Sequence, residues 1–176
     1  FVPKLEEIGF EGSSTIDINK FTAIITTVEP QTIILTPQLL VALVSSVEAG
    51  WLAPESLKFV AVGGSRVSEG LFKKAQHCGI PAFEGYGLSE CASVVSLNTP
   101  TDNNLLSSGK VLPHLAVEIV NGEIVIAGNA MLGYVGDHNS WNQDKIYSGD
   151  LGEFDKQGYL YIKGRKKNLL ISSFGR

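Results

Sequence analysis

The chain has 176 residues, with 14 Lys and Arg against 18 Asp and Glu, and a formal net charge of −4. Its 44% hydrophobic and 18% charged residues are typical of a folded globular protein and exclude a disordered chain. The negative net charge gives no general attraction to nucleic acid. The longest aliphatic run covers residues 39–44, far short of the about 20 residues that span a membrane. We therefore expect no nucleic-acid partner and no membrane span.

The first half of the chain alternates helical and strand patterns. Apolar residues at helical spacing predict helices over residues 17–28, 37–49 and 68–78. Each of these begins at or directly after a residue that favours the N-cap position, namely Asp17, Thr36 and Ser68. Runs rich in β-forming residues predict strands over 32–35, 57–62 and 80–84. Because this order is typical of parallel βαβ units, we predict an α/β region over residues 1–98.

The pattern changes after residue 98. A polar loop over 99–108 is followed by short predicted strands over 116–120, 123–126, 152–154 and 159–162. Asn121-Gly122 is the signal of a two-residue type I′ hairpin, because both residues tolerate a positive φ. We predict a small antiparallel β subdomain over residues 99–163.

The two cysteines and the ends of the chain lead to two further predictions. Cys78 and Cys91 form no CxxC pair, so we expect free, at least half-buried thiols and a reducing compartment. The chain starts at Phe1 without a signal peptide and stops at Arg176 directly after an apolar run. We expect it to be a piece of a longer protein.

Glycine-containing stretches are the candidates for ligand binding. Gly63-Gly64-Ser65 lies between a predicted strand and a predicted helix, where backbone N–H groups could meet an anion or a carbonyl oxygen. A plain turn explains this stretch better. The sequence contains neither GxGxxG nor GxxxxGK[ST], so no dinucleotide-binding or phosphate-loop fingerprint is supported.

The second stretch runs over residues 84–90 (Glu-Gly-Tyr-Gly-Leu-Ser-Glu), at the carboxyl end of a predicted strand. Open α/β sheets bind ligands at such ends. Tyr86, between two glycines, could stack on a flat ring, while Ser89 offers a hydroxyl and Glu90 an oxygen ligand for Mg²⁺. A tight turn with a surface Tyr and Glu explains the stretch equally well.

The third stretch covers residues 147–152 and 164–168. Asp150 could accept hydrogen bonds from a vicinal diol, as acidic residues do on ribose. Arg165 could bind a phosphate or ribose oxygen. A solvated basic turn over 163–167 is the simpler alternative.

In this order, the stretches resemble the motifs of the superfamily of AMP-forming acyl-CoA synthetases, nonribosomal-peptide adenylation domains and firefly luciferase, closest to its long-chain fatty-acyl-CoA ligases. Residues 84–91 are similar to the Tyr-Gly-x-Thr-Glu motif, and residues 122–134 to the Gly-Glu-Leu…Gly…Gly-Tyr block. Residues 147–151 are similar to the Thr-Gly-Asp block, and residues 164–168 to the Gly-Arg-x-x-Asp hinge block. The resemblance covers residues 63–176.

The resemblance implies a fold and a set of site residues. The chain would be part of the large N-terminal domain, with 164–176 as a hinge region leading to an absent C-terminal domain. Tyr86 would stack on adenine, and Asp150 would bind the ribose hydroxyls. The catalytic residues would be Ser89 at the α-phosphate, Glu90 as the Mg²⁺ ligand and Arg165 at ribose or phosphate. The other residues lining the nucleotide and acyl side would be Gly64, Ser65, Glu84, Gly85 and Gly87.

For the longer protein of which this chain would be a piece, the resemblance implies an acid–thiol ligase that uses ATP, Mg²⁺ and coenzyme A. The resemblance also implies a cytoplasmic location and leaves peripheral attachment to a membrane open. The substrate of the ligase would be a fatty or other carboxylic acid, and the isolated 176 residues would be inactive. Some features depart from the family pattern: no phosphate loop precedes Gly63, the link between Val120 and Glu123 is short, and Asn168 replaces the hinge Asp. Two alternatives therefore stay open, a non-catalytic nucleotide-binding or regulatory protein and an adenylating enzyme that loads an acyl carrier protein.

Overall fold

The computed structural model describes residues 3–11 and 15–168. Its backbone forms two compact units, Phe1–Phe83 and Glu84–Arg176. The domain limits predicted from the sequence remain predictions. The end of the predicted hinge region, residues 169–176, lies outside the described residues.

The first unit is an α/β assembly. Its described elements are β1 (Phe10–Glu11), β2 (Thr15–Ile16), α1 (Ile18–Val28), β3 (Thr32–Leu35), α2 (Pro37–Glu48), β4 (Phe59–Val62) and α3 (Glu69–His77). Strands β3 and β4 pair in parallel, from Thr32 opposite Phe59 to Leu35 opposite Val62. This confirms the predicted βαβ arrangement around α2.

The three predicted N-caps are confirmed. An Asp17 carboxylate oxygen accepts hydrogen bonds from the backbone N–H groups of Asn19 and Lys20, at 2.9 and 3.2 Å. Thr36 and Ser68 cap α2 and α3 in the same way, each accepting from the N–H three residues on. These bonds satisfy donors that the helix itself cannot pair, so short polar side chains fix where each helix begins.

The core of the first unit is apolar. Its largest fully buried side chains come from α2 and β4, namely Leu40, Leu43, Val60 and Val62. The indole of Trp51 packs against this core and donates its N–H to the Thr26 hydroxyl at 3.0 Å. Cys78 is half-buried and free, and Cys91 of the second unit is buried and free, as predicted.

Strand β5 (Ala82–Tyr86) spans the boundary between the units. It starts two residues later than predicted, because the Ile80 N–H closes the end of α3 on the Ala75 carbonyl and Pro81 has no N–H. The remaining strands are β6 (Ser96–Leu97), β7 (Lys110–Val111), β8 (Ala116–Val120), β9 (Glu123–Ala127), β10 (Lys145–Phe154) and β11 (Leu160–Arg165). Single 3₁₀ turns lie at Ser89–Cys91, His138–Ser140 and Lys166–Asn168.

Four of these strands form an antiparallel sheet in the order β11-β10-β9-β8. The inner strand β9 is buried on both faces, whereas the edge strand β8 alternates exposed and half-buried residues. Both strands confirm the sequence prediction, and Asn121 and Gly122 adopt the positive φ angles of 51° and 83° expected of their hairpin turn.

The last two strands are longer than predicted. The glycines at 149, 152 and 164 weakened the strand signal, yet β10 continues back to Lys145 and β11 continues forward to Arg165. The alternative of a basic turn over residues 163–167 is therefore wrong for residues 163–165, which are strand. Across the described residues, the longest helix has 12 residues and none could cross a bilayer.

Candidate functional site

The centre of the candidate site is the carboxylate of Asp150, which is 5% exposed. One of its oxygens binds Nε of Arg165 at 2.7 Å. The other accepts a hydrogen bond from the Tyr86 hydroxyl at 2.7 Å. Three residues predicted from three separate motifs thus meet at one buried group.

The pairing of β10 with β11 brings two of these residues together. Asp150 stands directly opposite Arg165 in the antiparallel register. On its other edge β10 has an irregularity, because its register with β9 shifts between Tyr147 and Leu151. Such bulges bend a strand and turn a side chain toward a new partner. The Asp150 carboxylate is directed in this way at Tyr86 and Arg165.

The charges in this cluster complement one another. The guanidinium of Arg165 is 61% exposed and pairs with the buried Asp150 carboxylate. Burial, together with the nearby Asp150 carboxylate, raises the pKa of Tyr86, so its hydroxyl stays a donor at neutral pH. A carboxylate offers about four lone-pair sites. Because Arg165 and Tyr86 occupy two of them, two acceptor positions of Asp150 have no partner among the described residues.

The glycines on either side of Tyr86 allow other segments of the same chain to pack closely against it. A Cβ atom on Gly85 would lie 2.8 Å from Cδ1 of Leu97, and one on Gly87 would collide with the backbone of Ser93. The glycines therefore admit a neighbouring strand and loop beside Tyr86. The stacking role of Tyr86 itself stays a prediction.

The backbone carbonyl of Glu84 connects β5 to the polar loop that follows. Its carbonyl oxygen accepts hydrogen bonds from both the N–H and the side-chain amide of Asn98, at 3.0 and 3.1 Å. Asn98 is buried and also binds the Ser107 carbonyl and the Asn104 N–H. It therefore fastens the polar loop 99–108 to β5, a role that no sequence pattern had indicated.

Glu90 lies in the 3₁₀ turn that begins with the exposed Ser89. Its carboxylate accepts a hydrogen bond from the Tyr134 hydroxyl, and its carbonyl accepts the Met131 N–H at 2.8 Å. The bond from Tyr134, helped by the charge of Arg165, holds the pKa of Glu90 below its usual value. The Gly-Tyr block contained Tyr134 but gave it no role.

Glu90 offers a single carboxylate ligand, which fits a magnesium ion whose other ligands are not protein side chains. Among the described residues, no cluster of three or more His, Cys, Asp or Glu side chains could hold a metal by itself. Mg²⁺ commonly takes one or two protein carboxylates and completes its shell with phosphate oxygens and water. A single ionised carboxylate at Glu90 suits that mode.

Gly64 and Ser65 belong to the first unit, in the turn between β4 and α3. Gly64 has φ +88°, while the space where its Cβ would stand is open. Its backbone conformation therefore requires glycine. Ser65 is exposed. Their assignment to a ligand site stays a prediction.

Comparisons with known proteins identify the family of the chain. The family model described as AMP-binding enzyme matches residues 8–135, more than half of the chain. The chain belongs to this AMP-binding enzyme family. It is 36% identical over 112 residues to a long-chain-fatty-acid–CoA ligase of Bos taurus, covering 54% of this chain and 15% of that protein.

Other members of the AMP-binding family give a similar result. A 2-succinylbenzoate–CoA ligase of Bacillus velezensis is 32% identical over 140 residues, covering 68% of this chain and 28% of the relative. The structure matches the O-succinylbenzoate coenzyme A synthetase of Bacillus subtilis, solved with ATP and magnesium, with a TM-score of 0.78 and 26% identity. That match covers 90% of this chain and 36% of the synthetase. The α/β fold predicted from the sequence is therefore that of adenylate-forming enzymes.

Proposed function

We propose that this chain is the nucleotide-binding part of a longer AMP-forming ligase that joins a carboxylic acid to a thiol. In the first step, a carboxylate oxygen attacks the α-phosphorus of ATP, and the bond to pyrophosphate breaks. In the second, a thiol attacks the acyl carbon, and AMP leaves with the bonding electrons. The proposal concerns the longer protein, because the chain spans only 15–36% of the relatives described above.

The observation that carries the proposal is the cluster of Tyr86, Asp150 and Arg165. A buried carboxylate with two acceptor sites left suits the two hydroxyls of a ribose. Beside it, the ring of Tyr86 is fixed by its own hydroxyl and offers a face for adenine. Arg165 adds positive charge that a phosphate or ribose oxygen can use.

The remaining predicted residues take supporting roles. Ser89 would offer its hydroxyl to the α-phosphate, and the backbone around Glu84, Gly85 and Gly87 would line the adenine and acyl side. For Gly64 and Ser65 of the first unit, the ligand-binding role that the resemblance implies stays a prediction. Glu90 would hold Mg²⁺, which when bound neutralises charge on the phosphates.

For the acid and the thiol, we favour a fatty acid and coenzyme A. The relatives with 35–36% identity act, by their names, on long-chain fatty acids. Ligases named for 2-succinylbenzoate and indoleacetate are 30–32% identical, so another apolar acid is the competing choice. All of these names specify coenzyme A, which favours it over a carrier protein. The two free thiols suit a reducing, cytoplasmic compartment.

The decisive experiment measures ATP–pyrophosphate exchange by the full-length protein that contains this chain. Exchange should require an acid, and a panel of long-chain fatty acids, 2-succinylbenzoate and indoleacetate identifies which one. Glu90→Ala should abolish exchange, whereas Glu69→Ala, a change at an exposed ion pair of the first unit, should leave it intact. Unaltered exchange in Glu90→Ala would remove Glu90 from the site.

Two further results would change the proposal. Nucleotide binding without exchange for any acid would favour the non-catalytic alternative, and transfer to a carrier protein but not to coenzyme A would favour the carrier-loading one. We expect the 176 residues alone to release no pyrophosphate from ATP and fatty acid. Release by the isolated chain would overturn that expectation.

A further inference from the structure

The irregularity in β10 is an interruption in its pairing with β9. Tyr147 pairs with Val125 and Leu151 pairs with Glu123. Residues 148–150 of β10 therefore stand opposite the single residue Ile124 of β9. An extra stretch of this kind interrupts the ladder of backbone hydrogen bonds, so its N–H groups need other partners.

Two side chains supply these partners. The Ser148 hydroxyl donates to the Ile124 carbonyl at 2.7 Å and accepts the Asp150 N–H at 3.0 Å. The Glu123 carboxylate accepts the Gly149 N–H at 2.9 Å. Gly149 has φ +72°, which is strained for other residues. A carboxylate from the inner strand thus fixes the backbone immediately before Asp150.

The same carboxylate has a second partner. Its other oxygen accepts a hydrogen bond from Nζ of Lys166 at 3.0 Å. Lys166 directly follows Arg165 in the chain. Glu123 therefore connects the residue before Asp150 to the residue after Arg165, while it is only 8% exposed itself.

We propose that Glu123 is a positioning residue for nucleotide binding, which sets the Asp150–Arg165 pair through Gly149 and Lys166. This inference rests on the proposed function and deepens it. Glu123 does not bond to Asp150 or Arg165, so it acts through its two partners. Support comes from its ionisation: the hydrogen bond from Lys166 lowers the pKa of Glu123, which keeps the carboxylate charged at neutral pH.

The variants separate the two contacts. Glu123→Ala removes both, Glu123→Gln keeps an acceptor for Gly149 and loses the charge, and Lys166→Met removes the ion pair alone. Glu153→Ala is the matched control, because Glu153 lies on β10 and forms an exposed ion pair with Lys163 at 2.7 Å.

Hydrogen exchange in the full-length protein that contains this chain tests the contact without a measurement of activity. In Glu123→Ala, the Gly149 amide should exchange at least about tenfold faster than in the wild type. Glu123→Gln should restore most of the protection, and Glu153→Ala should leave it unchanged. Equal Gly149 protection in Glu123→Ala and the control would overturn the proposal.

Kinetics of the full-length protein test the positioning. Residues that orient metal ligands typically contribute 10- to 100-fold to affinity or activity, and we take the lower end of that range for Glu123. We therefore expect Glu123→Ala to raise KM for ATP about tenfold, with KM for the acid unchanged and partial rescue in Glu123→Gln. Lys166→Met should raise KM for ATP about threefold. If Glu123→Ala does not fold, the KM for ATP of Lys166→Met tests the inference in its place. An unchanged KM for ATP in the folded variants overturns the inference, whereas a wild type that binds no ATP overturns the proposed function.

Discussion

The two units of this protein are stabilised in different ways. The first unit buries apolar side chains and keeps its ion pairs outside, as in Glu69–Lys73, where the side chains are 48% and 63% exposed. The second unit also has an apolar core, but it buries the carboxylates of Glu123 and Asp150, each paired with a cation.

This difference indicates a division of roles. Apolar burial is non-directional and contributes mainly stability. A buried carboxylate adds little net stability because it loses its hydration, but its hydrogen bonds fix particular atoms in particular directions. Substitutions in the apolar core and helix caps of the first unit should therefore act on folding, and substitutions around Asp150 should act on binding.

The largest effect should come from the core of the first unit. Leu43 is 0% exposed, and Leu43→Ala should lower the free energy of unfolding by about 3 kcal/mol, because a buried cavity is left behind. Urea denaturation followed by circular dichroism measures this. Val41→Ala, at an exposed position of the same helix, is the control. An equally small change in the free energy of unfolding in both variants would contradict the view that buried apolar side chains stabilise this unit.

Next in size is a change at the second unit's central carboxylate. Asp150→Asn keeps the volume but removes the charge that pairs with Arg165 and would accept the ribose hydroxyls. We expect the affinity of the full-length protein for AMP to fall roughly 100-fold, since hydrogen bonds to a charged group contribute about 1.5–3 kcal/mol each. Calorimetric titration with AMP checks this. The exposed Asp144→Asn should bind like the wild type; equal loss in both would argue against a specific role for Asp150.

A smaller effect is expected at a helix cap. Ser68 accepts the Leu71 N–H at 3.3 Å at the start of α3, and Ser68→Ala should lower the free energy of unfolding by about 1 kcal/mol. AMP affinity should stay unchanged, which sharpens the contrast between the units. Ser45→Ala, on the exposed side of α2, serves as the control for thermal melting. A loss of AMP binding in Ser68→Ala would break the division of roles.

The smallest effect concerns the ionisation of Glu90. The Tyr134 hydroxyl lowers the pKa of this carboxyl by stabilising its charged form, so Tyr134→Phe should raise the pKa toward its ordinary value. As pH falls, the variant would then lose the Glu90 charge earlier than the wild type. Carbon NMR titration of labelled glutamate carboxyls, assigned with Glu90→Gln, measures the shift. Tyr147→Phe, at an exposed tyrosine, should not move it; an unmoved Glu90 pKa in Tyr134→Phe would contradict the assignment.

The sequence predicted the parts of the fold that local chemistry determines. The N-caps at Asp17, Thr36 and Ser68 and the Asn121-Gly122 turn depend on one or two residues and their neighbours, so they could be recognised directly. The α/β class followed from the alternation of helical and strand patterns. The motifs also indicated Tyr86, Asp150 and Arg165, which the structure brings into direct contact.

What escaped prediction depends on partners far apart in the chain. The full length of β10 was hidden because its ladder with β9 is interrupted and completed by side chains. Asn98 has no local signature, since its role comes from simultaneous bonds to Glu84 and Ser107. Tyr134 and Glu123 lay inside recognised motifs, yet only three-dimensional proximity shows which atoms they hold.

The two-residue turn at Asn121-Gly122 has a consequence for how this site is encoded. It joins β8 to β9 with Val120 opposite Glu123, so Glu123 is the first residue after the turn. Side chains alternate between the faces of a strand, and a slip of one residue exchanges the faces. A single inserted residue that shifted this register would point the Glu123 carboxylate away from Gly149 and Lys166 without altering any side chain. The spacing of residues along the chain is thus as much a part of the site as their identities.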